Sequence, residues 1–451
     1  MVLLFAGTLS AQETPGTSEE DMQARLARVE SELATLRNRL AERERDSADR
    51  ELRARNIVNL YGDIGLAYHM LFESNTETFN RPDFRLHLGV YGTAFEQDKQ
   101  RLRYDLRLTT VAEDLNGKPT PTLSWLPFPG FGVNPQLAVD RFSIDYELNR
   151  VFSVTAGRFP SPFAGTEMLF DQDYHFQGLT ESLRLERLFN QSFQRVIPRL
   201  SLTSVQGYMA QNNIGLPSPT AESQPIYIGA QFQIDLAPFE SSVRGPDGRE
   251  STTVNSDFEL RLVVGAHWFD GEEGIAGNLG IGYLAKTTNV LAADGLIQSQ
   301  FLVCEAYAEV ILLRSRRAQV KAWFHGLWNL HAVPQVKGRA ERNDLAIQGG
   351  LYWGMEQMTQ RFDFQIGARY FYVEADAVIP EFNSELINTN IKGWQADLQV
   401  RVFPTVTAFG SMMLTERENF DLNGFGRAAR GKPYRASGQS FRVRIGIFLE
   451  F

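Results

Sequence analysis

From Ile57 to the end of the chain, apolar residues recur with a period of two, and no other feature restricts the fold as much. In "YGDIGLAYHMLF", Gly62, Ile64, Leu66, Tyr68, Met70 and Phe72 share one face. "DFRLHLGVYG" sets Phe84, Leu86, Leu88 and Val90 against Arg85, His87, Gly89 and Tyr91. "RLRYDLRLTT" sets Leu102, Tyr104, Leu106 and Leu108 against Arg101, Arg103, Asp105 and Arg107. Successive side chains of a strand point to opposite faces, so each stretch reads as a strand with one apolar and one polar side. The pattern returns near 137–148, 150–159, 196–210, 225–236, 256–269, 298–313, 319–331, 344–354, 361–374, 389–403, 405–415 and 438–451. No comparable 3.6-residue period interrupts it. A soluble β-protein of this length would divide into domains joined by linkers, and none is visible.

Short connections ("EQDK" 96–99, "ELNR" 147–150, "RSRRAQ" 314–319, "MEQMTQ" 355–360, "PTV" 404–406) alternate with long polar ones (113–135, 161–178, 331–343, 375–388, 416–436). Membrane barrels have short turns at one rim and long loops at the other, whereas a β-sandwich has no reason to do so. Mean hydropathy is −0.25, and no segment is apolar enough for a membrane helix. That is no objection, because a membrane strand needs only about ten alternating residues. With both barrel ends at one rim the strand number is even. Either 179–189 or 277–287 completes the count, and each choice gives sixteen. The expected fold is therefore an all-β transmembrane antiparallel β-barrel of about 16 strands, residues 57–451. Trp125, Trp268, Trp323, Trp328, Trp353 and Trp394 near strand ends suit interfacial girdles.

The region before the barrel has a different character. "MVLLFAGTLSAQE" resembles the end of a secretory signal, so residues 1–11 read as its remnant and 12–20 as a linker. The basic segment that opens such signals is missing, which points to a misassigned start or a truncated chain. Residues 21–55 read as a helical oligomerisation segment. Its seam is Met22, Leu26, Val29, Leu33, Leu36 and Leu40, spaced 4-3-4-3-4. The flanking positions pair Arg25 with Glu30, Glu32 with Arg37 and Arg39 with Glu44, opposite in sign each time for identical parallel chains. "RLARVE" is similar to a trimerisation motif of short coiled coils, in which Arg25 and Glu30 would pair between neighbours. Three heptads are marginal alone, so a second oligomer contact is expected.

The stretch "LAVDRFSIDYELNRVFSVTAGRFPSPFAGTEMLFDQDYHFQGL" (137–179) resembles the porins of Gram-negative outer membranes. A strand, a tight turn and a strand ending "GRFPSPF" precede Asp171, Asp173 and "QGL". The layout also resembles the phosphate- and polyphosphate-selective porins: signal, short coiled coil, "YGD" first strand and aromatic last residue. Specific likeness is confined to 57–190. The resemblance implies a sixteen-stranded homotrimer in outer-membrane lipid, its coiled coil in the periplasm, passing small hydrophilic solutes. It also implies that the terminal Phe451 is the signal for barrel insertion.

The face opposite the apolar one carries Arg85, Arg101, Arg103, Arg107, Arg141, Arg442 and Arg444. Fixed guanidinium groups in a narrow channel would concentrate anions, phosphate included. Asp105, Asp145, Glu147, Asp363, Asp397 and Glu450 share that face, so cross-strand ion pairing is the competing reading. Loop 161–178 holds Glu167, Asp171 and Asp173 among aromatic residues. It either folds into the lumen as a constriction or stays outside as an ordinary loop with a surface Ca²⁺ at the D-x-D. The formal net charge of −9 argues against a general nucleic-acid binder. Cys304 is the single cysteine, so no disulfide framework or cysteine-based metal site is expected. No nucleophile elbow, phosphate loop or dinucleotide fingerprint occurs. The chain is thus expected to be a cofactor-free, metal-free channel and not an enzyme. A structural envelope protein, its barrel anchoring the coiled coil to the cell wall, is the alternative.

Overall fold

The computed structural model describes residues 58–73, 79–97, 99–113, 119–120, 126–127, 136–171, 174–208, 226–237, 243–244, 250–251, 259–270, 299–314, 318–333, 342–355, 358–379, 389–417 and 439–451. The coiled-coil seam (Met22, Leu26, Val29, Leu33, Leu36, Leu40 with Arg25 and Glu30), Trp125, Asp173 and the candidate strand 277–287 lie outside these residues.

Sixteen long strands run in chain order. They are β1 (Asn59–Glu73), β2 (Phe79–Gln97), β3 (Gln100–Glu113), β4 (Gln136–Leu148), β5 (Phe152–Pro160), β6 (His175–Arg184), β7 (Arg199–Tyr208) and β8 (Ile226–Leu236). There follow β9 (Glu259–Asp270), β10 (Phe301–Arg314), β11 (Gln319–Asn329), β12 (Leu345–Gly354), β13 (Phe364–Val373), β14 (Ile391–Phe403), β15 (Val406–Arg417) and β16 (Gln439–Glu450). Each pairs antiparallel with its neighbour in sequence. The last pairs with the first, from Asp63 opposite Glu450 to Glu73 opposite Ser440. Closure leaves no edge, so ladder N–H and C=O groups find partners without help from solvent. Phe451 extends the seam beyond β16, its backbone exchanging two 3.1 Å hydrogen bonds with Gly62. Of the two candidates for the ambiguous strand, the 179–189 region supplies β6, shifted toward the N-terminus.

Alternation sorts the side chains. Leu66, Leu88, Leu106, Phe142, Ile144, Val264, Phe324, Leu351 and Ile445 are exposed on the outer face. Trp268, Trp328, Trp353 and Trp394 also face outward near strand ends, as a girdle requires. Trp323 departs from that expectation. It belongs to the inward series of β11 with His325 and Leu327, and its ring occupies the space beside Gly350. The rims also differ from the simple short/long alternation. The turn rim includes two longer connections, 185–198 and 237–258, and the loop rim includes the short 74–78. The first of these contains a helical turn (Leu185–Leu188) and a short helix, α1 (Gln191–Val196), which Asn190 caps by accepting the Phe193 N–H at 2.9 Å.

One irregularity matters for the lumen. Opposite Arg107 and Leu108, β4 supplies Arg141 and Val139, so Asp140 is an extra residue. Such a bulge breaks strict alternation. It lets Asp140 and Arg141, adjacent in sequence, both serve the inner surface.

Candidate functional site

The lumen has two unlike halves. On the β1–β4 side the inner surface is a ladder of charges. The β3–β4 register sets Arg101 opposite Glu147 and Arg103 opposite Asp145. Both couples form ion pairs, the first at 2.5 Å. Arg107 pairs with Asp140, and Arg85 pairs with Asp63 at 3.1 Å. Asp63 also meets His87 Nδ1 at 2.9 Å. Tyr61 donates to Asp105 at 2.7 Å, and Arg141 stands 3.9 Å from the same carboxylate while donating to His175 Nε2 at 2.9 Å. Of the seven arginines read as lining the lumen, five therefore sit in cross-strand pairs, which is the competing reading of the sequence. Arg107 is buried in its pair, whereas the Arg103 side chain keeps 45% exposure.

Arg442 and Arg444 follow on the inner face of β16. Phe448, an aromatic on the same face, has a physical place there. It stacks on Phe409 at 4.7 Å, and the Arg85 guanidinium lies 4.7 Å from its ring centroid. Arg444 covers Phe409 at 5.9 Å. Cation–π contact lets an aromatic face a polar lumen without stranding its neighbours' charge.

Across the lumen, the segment between β5 and β6 turns inward. Within β5, Gly157 (φ +119) meets a close neighbour; a Cβ there would lie 2.1 Å from the Phe142 carbonyl. Phe159, Met168, Leu169, Phe170, Tyr174 and Phe176 then pack with Tyr227, Phe269, Phe301, Val303, Leu327 and Phe371 from the far wall. The stretch after β13 joins this core through Ala377, Val378 and Ile379. Asn329 and Ser299 hold that stretch by hydrogen bonds of 2.8 and 2.6 Å to Asp376. Burial raises the pKa of the Tyr174 phenol.

At the tip of the inward loop the contacts become polar and buried. Gln231 on β8 clamps the Ala164 backbone, accepting its N–H at 2.8 Å and donating to its carbonyl at 2.6 Å. Thr166 meets His325 Nδ1 through its hydroxyl at 2.7 Å and its N–H at 3.3 Å. Behind these stands Glu305 of β10, 5% exposed. It accepts from Gln231 at 2.8 Å and meets His325 Nε2 at 2.8 Å and His267 Nε2 at 2.9 Å. Tyr227 reaches His267 Nδ1 at 2.6 Å. Gly165 (φ +154) fits between: a Cβ would lie 2.8 Å from Glu305 Oε1. Glu167 reaches Arg369 of β13 at 3.4 Å, while Arg369 also stands 4.0 Å from Asp397.

Of the loop residues singled out from sequence, Glu167 thus faces a cation across the lumen and Asp171 lies within the inward segment. The arginines line the β1–β4 wall and the loop packs on the far wall, and Arg141 joins the two by donating to His175 at the loop's end. Gln231, His267, Glu305, His325 and Arg369 were not singled out, because the contact from Thr166 to His325 spans 159 positions. Glu305 does leave a trace in the sequence: it is one of two carboxylates, with Glu309, in the inward series of "FLVCEAYAEV". Among the described residues, no group of three or more His, Cys, Asp or Glu is arranged to hold a metal.

Residues 62–207 match the family described as "Putative porin". No curated protein matches the sequence. Among solved structures, OprB of Pseudomonas putida at high pH is similar over 87% of this chain and 94% of its own, with 10% identity and a TM-score of 0.50. Salmonella typhi OmpF bound to daunomycin covers 87% and 97% at 11% identity, TM-score 0.46. The anion-selective porin from Comamonas acidovorans covers 87% and 99% at 11% identity, TM-score 0.46. The likeness to OprB is one of fold.

Proposed function

We propose that this porin-fold barrel is a channel of the bacterial outer membrane, open by passive diffusion to small hydrophilic solutes. One observation carries the reading. An inward loop is pinned to one half of the lumen while the opposite half presents mainly charged and hydroxylated side chains. A barrel that served only as an anchor has no need of a wetted, ion-paired inner wall, and that weighs against the envelope-anchor reading. Glu167 and Arg369 pair at 3.4 Å where the loop meets the wall, so this contact ties the loop down and adds little net field.

The arginine strip becomes a weaker selector than its sequence suggests. Arg85, Arg101, Arg103, Arg107 and Arg141 each have a carboxylate close by, so the wall is nearly balanced in charge. Anion preference is then slight, and a strong phosphate preference is not expected. Copies of the chain associate as a homotrimer through the coiled coil, which lies in the periplasm in this reading. Single-channel recording in planar bilayers tests the function: stable, uniform current steps are expected, and an absence of conductance contradicts it. Reversal potentials in asymmetric KCl should lie near zero, and strong selectivity of either sign would oppose the balanced-wall account.

A further inference from the structure

Thr180, Thr203 and Val205 are buried on the inner side of β6 and β7, so their sequence neighbours face outward. That outer surface is unlike the rest of the barrel. β8 turns Ile226, Ile228, Ala230, Phe232, Ile234 and Leu236 outward, and β16 is equally apolar there. β6 and β7 instead interrupt their outward Leu179, Leu183, Leu202 and Tyr208 with Gln177, Glu181, Ser204 and Gln206. Ser204 donates to Glu181 at 3.2 Å, and the residues opposite them on the flanking strands are Val154 and Ala230. No other described strand turns a carboxylate outward away from its ends. At the foot of these strands, the connection through α1 exposes Leu188 (64%), Phe189 (48%) and Val196 (49%).

We propose that the outer face of β6 and β7, with the apolar connection beneath it, is buried against a second copy of this chain. The inference rests on the membrane-channel reading, which is what makes an outward carboxylate costly. Acyl chains offer Glu181 no hydrogen bond, and one serine hydroxyl leaves most of its acceptor capacity unused. The apolar residues alone would suit lipid; the carboxylate with two carboxamides does not. Core apolar groups with a few hydrogen-bonding side chains are the make-up of a protein interface. The partner is a second copy because the sequence carries its own self-association signal, the 22–40 seam with three like-oriented pairs of opposite sign. In such a contact the carboxamide N–H groups of Gln177 and Gln206 supply the donors that Glu181 lacks.

The test uses the full chain with Cys304→Ala, reconstituted in lipid vesicles. Gln206→Cys and Phe232→Cys are labelled with a lipid-soluble maleimide, and the mass of each protein is measured in mild detergent. We expect an oligomeric mass and labelling at Gln206→Cys about tenfold slower than at Phe232→Cys, because an interface core excludes solvent. Glu181→Gln should retain the oligomer and Glu181→Leu should weaken it, whereas a lipid-facing patch would make Glu181→Leu neutral or stabilising. Equal labelling rates in an oligomer with normal currents would overturn the interface and leave the channel reading standing. A monomeric mass would overturn it too, and loss of all currents would remove the channel reading itself.

Discussion

The two halves of the lumen use the same strand alternation and reach opposite results. On the β1–β4 side, inward residues meet water, and the wall is organised by ion pairs between strands adjacent in sequence. On the β8–β13 side, inward residues meet the loop after β5 and the stretch after β13, and the surface closes into an apolar core around a buried carboxylate. Exposed ion pairs contribute little to stability, whereas buried aromatics and saturated polar clusters contribute much. Removing side chains of similar size from each half should therefore separate shape from selectivity.

Four substitutions sharpen the contrast. Phe170 packs at 4.9 Å from Phe176 and 5.4 Å from Tyr227. Phe170→Ala should cost about 3–5 kcal/mol, measured by thermal unfolding in detergent. Next comes Glu305→Ala, which strands the donors of His267, His325 and Gln231 and should cost roughly 3 kcal/mol. It also frees the loop tip, so single-channel current noise should rise with it. Gly165→Ala comes third. Its positive φ and the approach of Glu305 Oε1 at 2.8 Å predict a loss of about 1–3 kcal/mol, with the same rise in noise. Least costly is Arg103→Gln on the exposed wall, below about 1 kcal/mol. Its signature is instead a reversal potential shifted toward cations. Equal stability losses at Phe170 and Arg103 would erase the distinction between the halves.

Much of the barrel was legible because it is periodic. Apolar and polar residues alternate along most strands, and the aromatic C-terminal strand found its partner in β1. The inner arginines were legible for the same reason. Asp140 was not, because a bulge suspends the alternation that sequence reading relies on. Trp323 was misread as interfacial, since alternation rather than proximity to a strand end decides its face. The loop's anchor was the least legible part. Nothing near Thr166 announces His325, and a histidine without a spaced partner looks incidental until the fold brings Glu305 between two of them.

Separate roles for the two halves can be tested by blocking the channel from inside. In a Cys304→Ala background, Arg103→Cys and Val303→Cys place a thiol on the charged wall and in the packed core. A charged methanethiosulfonate reagent is then added during single-channel recording. Solutes running along the charged wall predict a stepwise fall in current at Arg103→Cys and none at Val303→Cys. A fall at Val303→Cys with Arg103→Cys unaffected would contradict the account.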